Sequence, residues 1–336
     1  MLDVLVFPCT YKCDGKCMMC SIHEKRISDL SVQELVPFFE NSYVNSIRSI
    51  NITGGEPTLR NDLGKLVEMI CFHCKNLSEI IINTNGLNSF NVLKKCEEIC
   101  AILPSKVKVW VYVSLDAIDA KADKVRGVED AASKAMKTVD LLISLKEKYE
   151  ILKVGISTTI VSENAYALDS VFEYVISKNV FWDVIYATVN TTYIDSKSKS
   201  SEFLLDENQK KNVIEFLPKL LKYDKRTLSE SQIYKLIDRI NGKVGNKHCI
   251  LRKGKGLLLE ADGKIRACGM TNEILLGDIH DEELNFDKWL NKLEQYDNHC
   301  EKCNTDSYYN WSVEAQNIII KEMMGKVVRK KKDAKV

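Results

Sequence analysis

The sequence predicts an α/β protein built on a partial (β/α)6 barrel, and three patterns predict it. Apolar, β-branched runs fall at residues 2–7, 49–52, 80–83, 107–115, 153–159 and 181–189. Helical periods fill the gaps, at 32–39, 63–71, 92–103, 131–147 and 167–177. Each apolar run is nearly continuous rather than alternating, as parallel strands covered on both faces require. Right-handed crossovers then curl the units into a barrel or a doubly wound sheet. Six units fall short of the eight of a closed TIM-type barrel, so the expectation is an open one.

The first five units take the chain from residue 2 to the fifth run, and the sixth run ends at Val189. Residues 193–201 are rich in Ser, Lys and Asp and read as a linker. Helical residues 206–240 follow, interrupted near Pro218. A hairpin comes next, 256–260 and 264–268 around Asp262-Gly263, a pair that favours the positive φ angles of a type I′ turn. A further helix is expected at 286–293. These boundaries divide the chain into a barrel (1–192), linker helices (193–240), a small C-terminal α+β unit (241–325) and a basic tail (326–336).

Charge excludes some partners. The 336 residues carry 48 Lys and Arg against 47 Asp and Glu, a net +1, so no overall field holds a nucleic acid or an acidic membrane. The run Arg329, Lys330, Lys331, Lys332 reads as a solvated terminus, with a docking patch as the alternative. No apolar stretch approaches the ~20 residues that span a bilayer. Residues 2–7 are too short for a signal peptide, so the expected location is the cytoplasm. In that reducing compartment twelve cysteines point to metal or chemistry rather than disulfides.

Cys13, Cys17 and Cys20 follow the first strand at C-x3-C-x2-C spacing. One short loop thus aims three thiolates at a common point. A [4Fe–4S] cubane held by three thiolates keeps one iron open, as a catalytic cluster needs. The alternatives are zinc with His23 as a fourth ligand, or a structural cluster with a distant fourth ligand. Position favours catalysis, because active sites of parallel β/α folds stand at the C-terminal ends of strands. Thr53-Gly54-Gly55-Glu56-Pro57 follows the second strand: its glycines allow close backbone approach, and Glu56 offers a negative charge to an ammonium group. It lacks the Lys-Ser/Thr ending of a phosphate loop. Asn85, Ser114 and Asp116 stand at the ends of the third and fourth strands, with Arg126-Gly127 just beyond; capping of the following helices is the plain alternative for each.

These motifs resemble the radical S-adenosylmethionine (SAM) superfamily, whose signature is this cysteine spacing after the first strand of a partial barrel. The resemblance implies that an open iron chelates SAM and that reductive C–S cleavage yields a 5′-deoxyadenosyl radical. It implies that Gly54, Gly55, Glu56 and Pro57 bind the methionyl amino group, that Ser114 and Asp116 bind the ribose, and that Asn85 and Arg126 belong to the same cofactor site. The position before the last cysteine is commonly aromatic and packs on adenine; here it is Met19, whose thioether makes a similar contact. A flavodoxin- or ferredoxin-type electron donor is implied as partner.

Four more cysteines follow the linker: Cys249, Cys268, Cys300 and Cys303. Spacing alone leaves iron–sulfur and a zinc ribbon level, since both take tetrahedral thiolates. The stretch Leu258–Gly269 followed by Leu276-Gly277-Asp278-Ile279 resembles the shortened SPASM module called Twitch, which implies one auxiliary [4Fe–4S] cluster. With two clusters and SAM as cofactors, the expected reaction is hydrogen abstraction from an unactivated C–H bond. The auxiliary cluster then takes the second electron in a net dehydrogenation. A small sugar-like or aminocyclitol metabolite is preferred as substrate, because the chain starts at its first barrel strand with no module to grip a leader peptide. Modification of a peptide is the alternative, and a zinc-stabilised binding protein is the alternative from another class. Cys9, Cys71, Cys74, Cys96 and Cys100 are expected to be packing residues. His248 and Arg252 flank Cys249 and are placed to tune it, while Tyr186, Thr188 and Asn190 are expected to face the pocket.

Overall fold

Six parallel strands come first: β1 (Val4–Thr10), β2 (Ser49–Gly54), β3 (Glu79–Thr84), β4 (Lys108–Ser114), β5 (Leu152–Ile160) and β6 (Phe181–Tyr186). They alternate with α1 (Val32–Glu40), α2 (Leu63–His73), α3 (Ser89–Ile102), α4 (Lys121–Arg126), α5 (Ala131–Lys148) and α6 (Leu168–Lys178). Three further helices follow, α7 (Ser200–Phe203), α8 (Glu207–Phe216) and α9 (Glu230–Ile240). Then come β7 (Gly256–Leu259), β8 (Lys264–Arg266), β9 (Leu275–Asp278) and α10 (Phe286–Glu294). This computed structural model describes residues 2–189, 200–223, 228–243, 249, 251, 253–269 and 275–294.

The nine strands among the described residues belong to one sheet, in the order β6-β5-β4-β3-β2-β1-β7-β8-β9. The first six match the expected units. The hairpin differs from expectation, because β7 pairs in parallel with the outer edge of β1, Val4 opposite Gly256 and Val6 opposite Leu258. It therefore continues the barrel sheet. With both edges of β1 occupied, β6 cannot pair with it, and among the described residues the sheet stays open. The turn also differs: among its residues only Gly263 takes positive φ, at +90°, so it is not a two-residue type I′ turn. The chain bends over Glu260–Gly263 instead, with the Gly263 amide donating to the Glu260 carbonyl at 3.0 Å.

Strand alternation sorts the side chains into two faces. Ile50, Ile52, Ile80, Ile82, Val111, Val113, Val154 and Ile156 enter the large core beneath the helices. Burial of each contributes roughly 1.5–3 kcal/mol. Cys9, Cys74, Cys96 and Cys100 are buried in that core and Cys71 packs against it, in keeping with a packing role. The opposite face carries a separate apolar floor of Ile81, Trp110, Tyr112 and Phe181. Trp110 stacks on Tyr112 with centroids 6.3 Å apart and meets the Phe181 ring edge-on. Gly155 is opposite Tyr112 on β5, and a Cβ there would lie 2.5 Å from the Tyr112 ring. Toward the C-terminal ends this face turns polar and half-buried, with Asn51, Asn83, Ser114, Ser157 and Thr159. Asn83 donates to Asn51 Oδ1 at 2.6 Å across β2 and β3.

β6 ends at Tyr186, three residues before the apolar run does. Tyr186 shares the core-facing side of β6 with Trp182 and Val184, which corrects the expectation that it faces the pocket. Thr188 lies beyond the strand and is half-buried; Asn190 lies outside the described residues. The Pro218 break is as expected: α8 gives way to a 3-10 turn over Leu217–Lys222 before α9 begins. Among the described residues no helix is long and apolar enough to cross a membrane.

Candidate active site

The cysteine loop leaves the C-terminal end of β1 and is held on two sides. On one side, the Gly55 amide donates to Thr10 O at 2.7 Å and the Glu56 amide to Lys12 O at 2.8 Å. A Cβ on Gly54 would overlap the Thr10 carbonyl oxygen, and one on Gly55 the Lys12 carbonyl oxygen. These glycines therefore admit the chain's own cysteine loop, where the sequence suggested a ligand. On the other side, the last carbonyl groups of α4 accept from the loop: Lys16 N–H to Arg126 O and Met18 N–H to Val125 O, both at 2.9 Å. Helix-end carbonyls lack intrahelical donors, so the loop satisfies them. Gly127 closes α4 at φ +65°, and a Cβ there would overlap the Lys16 carbonyl oxygen.

Glu56 is buried at 1% exposure and its carboxylate is fully engaged. Oε1 accepts from the Thr58 amide at 3.1 Å, the Thr58 hydroxyl at 2.6 Å and the Thr84 hydroxyl at 2.9 Å; Oε2 accepts from the Asn85 amide at 2.7 Å. Burial pushes its carboxyl above the ordinary carboxylate range, against the pull of those hydrogen bonds. What Glu56 visibly does is tie the β2 loop to the end of β3. Pro57 is buried at the first position of a 3-10 turn, Pro57–Leu59.

Around the thiols stand two side-chain donors. Asn85 Nδ2 lies 3.9 Å from Cys13 Sγ and donates to Asp14 Oδ1 at 2.6 Å. Arg126 Nη1 lies 3.7 Å from Cys17 Sγ. Its Nε is 2.6 Å from Asp116 Oδ2, a carboxylate with no exposed surface, while Asp116 Oδ1 accepts from the Thr159 amide at 2.8 Å. The N–H of that ion pair is not aimed along the short contact, so Arg126 Nε and Asp116 Oδ2 are buried without an aligned hydrogen-bond partner. Burial pushes the Asp116 carboxyl up, against the pull of Arg126. Neither Asp116 nor Asn85 caps a helix: the first residue before α4 is Ala120, and α3 is capped by Asn88. Ser114 is half-buried at the end of β4, opposite Ser157. Met19 and Met18 pack against Val125, Val161, Ala187 and Phe203.

Burial pushes the Cys13 thiol up to about 12 and Cys20 to about 11, so a metal that takes them as thiolates displaces their protons. Among the described residues no three Cys, His, Asp or Glu side chains converge as a single ion requires. His23 lies instead against Glu24 at 3.8 Å, which leaves the mononuclear zinc alternative without geometric support. A cubane makes no such demand, because each thiolate takes a different iron. Three thiols on one anchored loop, flanked by N–H donors and two unaligned buried polar atoms, fit such a cluster and a polar ligand beside it.

Of the second set, Cys249 and Cys268 are half-buried and pack against one patch, formed by Val4, Val6, Leu251 and Leu258. Cys300, Cys303, His248 and Arg252 lie outside the described residues, as do most of the linker and the basic tail. The hairpin also touches the first loop: Ala261 packs with Tyr11 and Ile22, and its carbonyl accepts from the Leu30 amide at 3.0 Å. Sequence reasoning missed Thr58, Thr84 and Asp14, which carry no motif of their own. It also missed Arg60, whose Nη1 donates to Cys9 O at 2.8 Å beneath the cysteine loop.

Comparison with known proteins shows what the chain is similar to. Residues 7–160 match the model described as the Radical SAM superfamily. The GTP 3′,8-cyclase of Campylobacter jejuni subsp. doylei is 26% identical over 182 residues, 53% of this chain and 53% of the relative. A probable GTP 3′,8-cyclase of Methanococcus maripaludis is 36% identical over 81 residues, 23% of this chain and 26% of the relative. The chain thus matches about half the length of the first of these curated relatives, and less of the second. Among solved structures, anSMEcpe with bound AdoMet superposes with TM-score 0.62 at 19% identity, over 93% of this chain and 88% of that one. Streptococcus suis SuiB bound to the precursor peptide SuiA gives 0.61 at 16%, over 86% and 65%. These two likenesses are of fold. The matched segment runs from within β1 to the last residue of β5 and contains the cysteine loop, Gly54 to Pro57 and the Asp116–Arg126 pair, so the part of the chain that carries the cysteine loop is the part that is similar to the radical SAM superfamily.

Proposed function

We propose that the chain is a radical SAM enzyme that abstracts hydrogen from an unactivated C–H bond of a small polar metabolite and completes a two-electron oxidation. The observation that carries the reading is the cysteine loop, anchored at the C-terminal mouth of the open barrel by the ends of β2 and α4. A [4Fe–4S] cluster and SAM held there supply reductive C–S cleavage and a 5′-deoxyadenosyl radical. The protein's part is placement. Cys13, Cys17 and Cys20 bind the cluster, and the loop's two anchors hold it rigid. Gly54 to Pro57, Asn85, Ser114 and Met19 are the residues around the cofactor. The apolar floor closes the barrel below, and the half-buried amide and hydroxyl groups of Asn51, Asn83, Ser157 and Thr159 offer a substrate neutral hydrogen-bonding partners.

Cys249, Cys268, Cys300 and Cys303 are proposed to hold an auxiliary cluster as electron outlet, in a Twitch-like unit. The support is that the first two of these share one packing patch beside β1. After the adenosyl radical has taken the hydrogen atom, the substrate radical gives one electron to that cluster and one proton to solvent, which completes the two-electron oxidation. A flavodoxin- or ferredoxin-type donor supplies the first electron, and a cytoplasmic location suits oxygen-sensitive clusters. The second reading is a cyclase of purine nucleotides, favoured by the GTP 3′,8-cyclase relatives.

Anaerobic reconstitution tests both. About eight irons per chain, 5′-deoxyadenosine formed on reduction with SAM, and loss of that product in Cys13→Ala, Cys17→Ala and Cys20→Ala chains are expected. Cleavage that persists in those variants overturns the reading. With GTP as the added substrate, turnover to a cyclised nucleotide selects the second reading over the first.

A further inference from the structure

The pair Asp116–Arg126 is built into the wall of the cysteine loop. Arg126 reaches that loop twice: its backbone carbonyl accepts the Lys16 amide at 2.9 Å, and its guanidinium stands 3.7 Å from Cys17 Sγ. The same guanidinium lies 2.6 Å from Asp116, whose other oxygen is taken by the Thr159 amide of β5. Asp116 is fixed from behind as well, since Asn164 donates to its carbonyl at 3.0 Å. A continuous path therefore runs from the end of β5, through Asp116 and Arg126, to the middle thiol of the three.

We propose that Arg126 is a positioning residue of the first cluster, donating to the Cys17 thiolate and setting the cluster's reduction potential, and that Asp116 orients Arg126 instead of binding a ribose. The inference rests on the first cysteine loop holding a cluster. Reduction adds negative charge to a cluster, and an N–H donor or cation beside a ligating sulfur favours the reduced form. A fixed carboxylate behind that cation works in the opposite sense. The fork of the guanidinium lets one side chain face both partners, which an ammonium cannot do in the same geometry.

The test is an EPR-monitored redox titration of the SAM-responsive cluster in the reconstituted full chain. Arg126→Gln is expected to move the midpoint to more negative potential, Arg126→Lys to move it by less, and Asp116→Asn to move it the other way. A purely structural role predicts shifts of one sign, or none. A midpoint that is unmoved or raised in Arg126→Gln, or lowered in Asp116→Asn, overturns the proposal. If Arg126→Gln does not retain iron, amide hydrogen exchange of the metal-free chain decides. Faster exchange confined to residues 13–20 supports the clamp; unchanged exchange, or acceleration spread over the whole sheet, overturns it. If the wild-type chain shows no SAM-responsive cluster, it is the assignment of the first loop that fails.

Discussion

Glu56 illustrates how one buried carboxylate organises a site. Its four hydrogen bonds come from its own turn and from the end of β3, and no solvent competes for them. Glu56→Ala strands several buried donors at once, each costing roughly 1–3 kcal/mol if left unsatisfied. The expected loss is on the order of 3 kcal/mol, read as a lower denaturant midpoint of the metal-free chain; an unchanged midpoint contradicts the assignment. The sequence shows a carboxylate behind two glycines. It does not show that Thr84 and Asn85, 28 and 29 residues on, meet that carboxylate, because the meeting depends on β2 and β3 being neighbours. For the same reason Asp116 reads as a ribose ligand in the sequence, while in the structure its oxygens face Arg126 and Thr159.

At the scale of elements, short contacts between strand ends and loops leave no room for side chains. Gly127 takes φ +65° where its missing Cβ lets the Lys16 carbonyl approach. Gly127→Ala therefore combines a left-handed backbone, costing roughly 1 kcal/mol or more, with a steric overlap. The expectation is a chain with unchanged far-UV circular dichroism but less iron bound at the first site on reconstitution. Full iron loading contradicts it. The strands and helices of the barrel are legible in the sequence because parallel strands buried on both faces leave unbroken apolar runs. The pairing of β7 with β1 is not legible: Gly256–Leu259 is four residues long, and nothing local names its partner. Tyr186 shows the same limit, since which face of β6 meets the core is set by its register against β5.

For the whole molecule, the open sheet does two things at once. It leaves a polar inner face above the floor of Trp110, Tyr112 and Phe181, and it seats the hairpin with Cys268 against β1, the strand that also launches the first cysteine loop. Cys249 and Cys268 thus pack beside the strand that launches the first loop. A catalytic first cluster differs from every structural alternative in one respect: an iron free to take a ligand. The direct test is the EPR spectrum of the reduced, oxygen-protected chain recorded with and without SAM. A spectrum of the first cluster that changes on adding SAM, and is absent from the Cys13→Ala, Cys17→Ala, Cys20→Ala triple variant, is the predicted result. An intact first cluster whose spectrum ignores SAM contradicts the account.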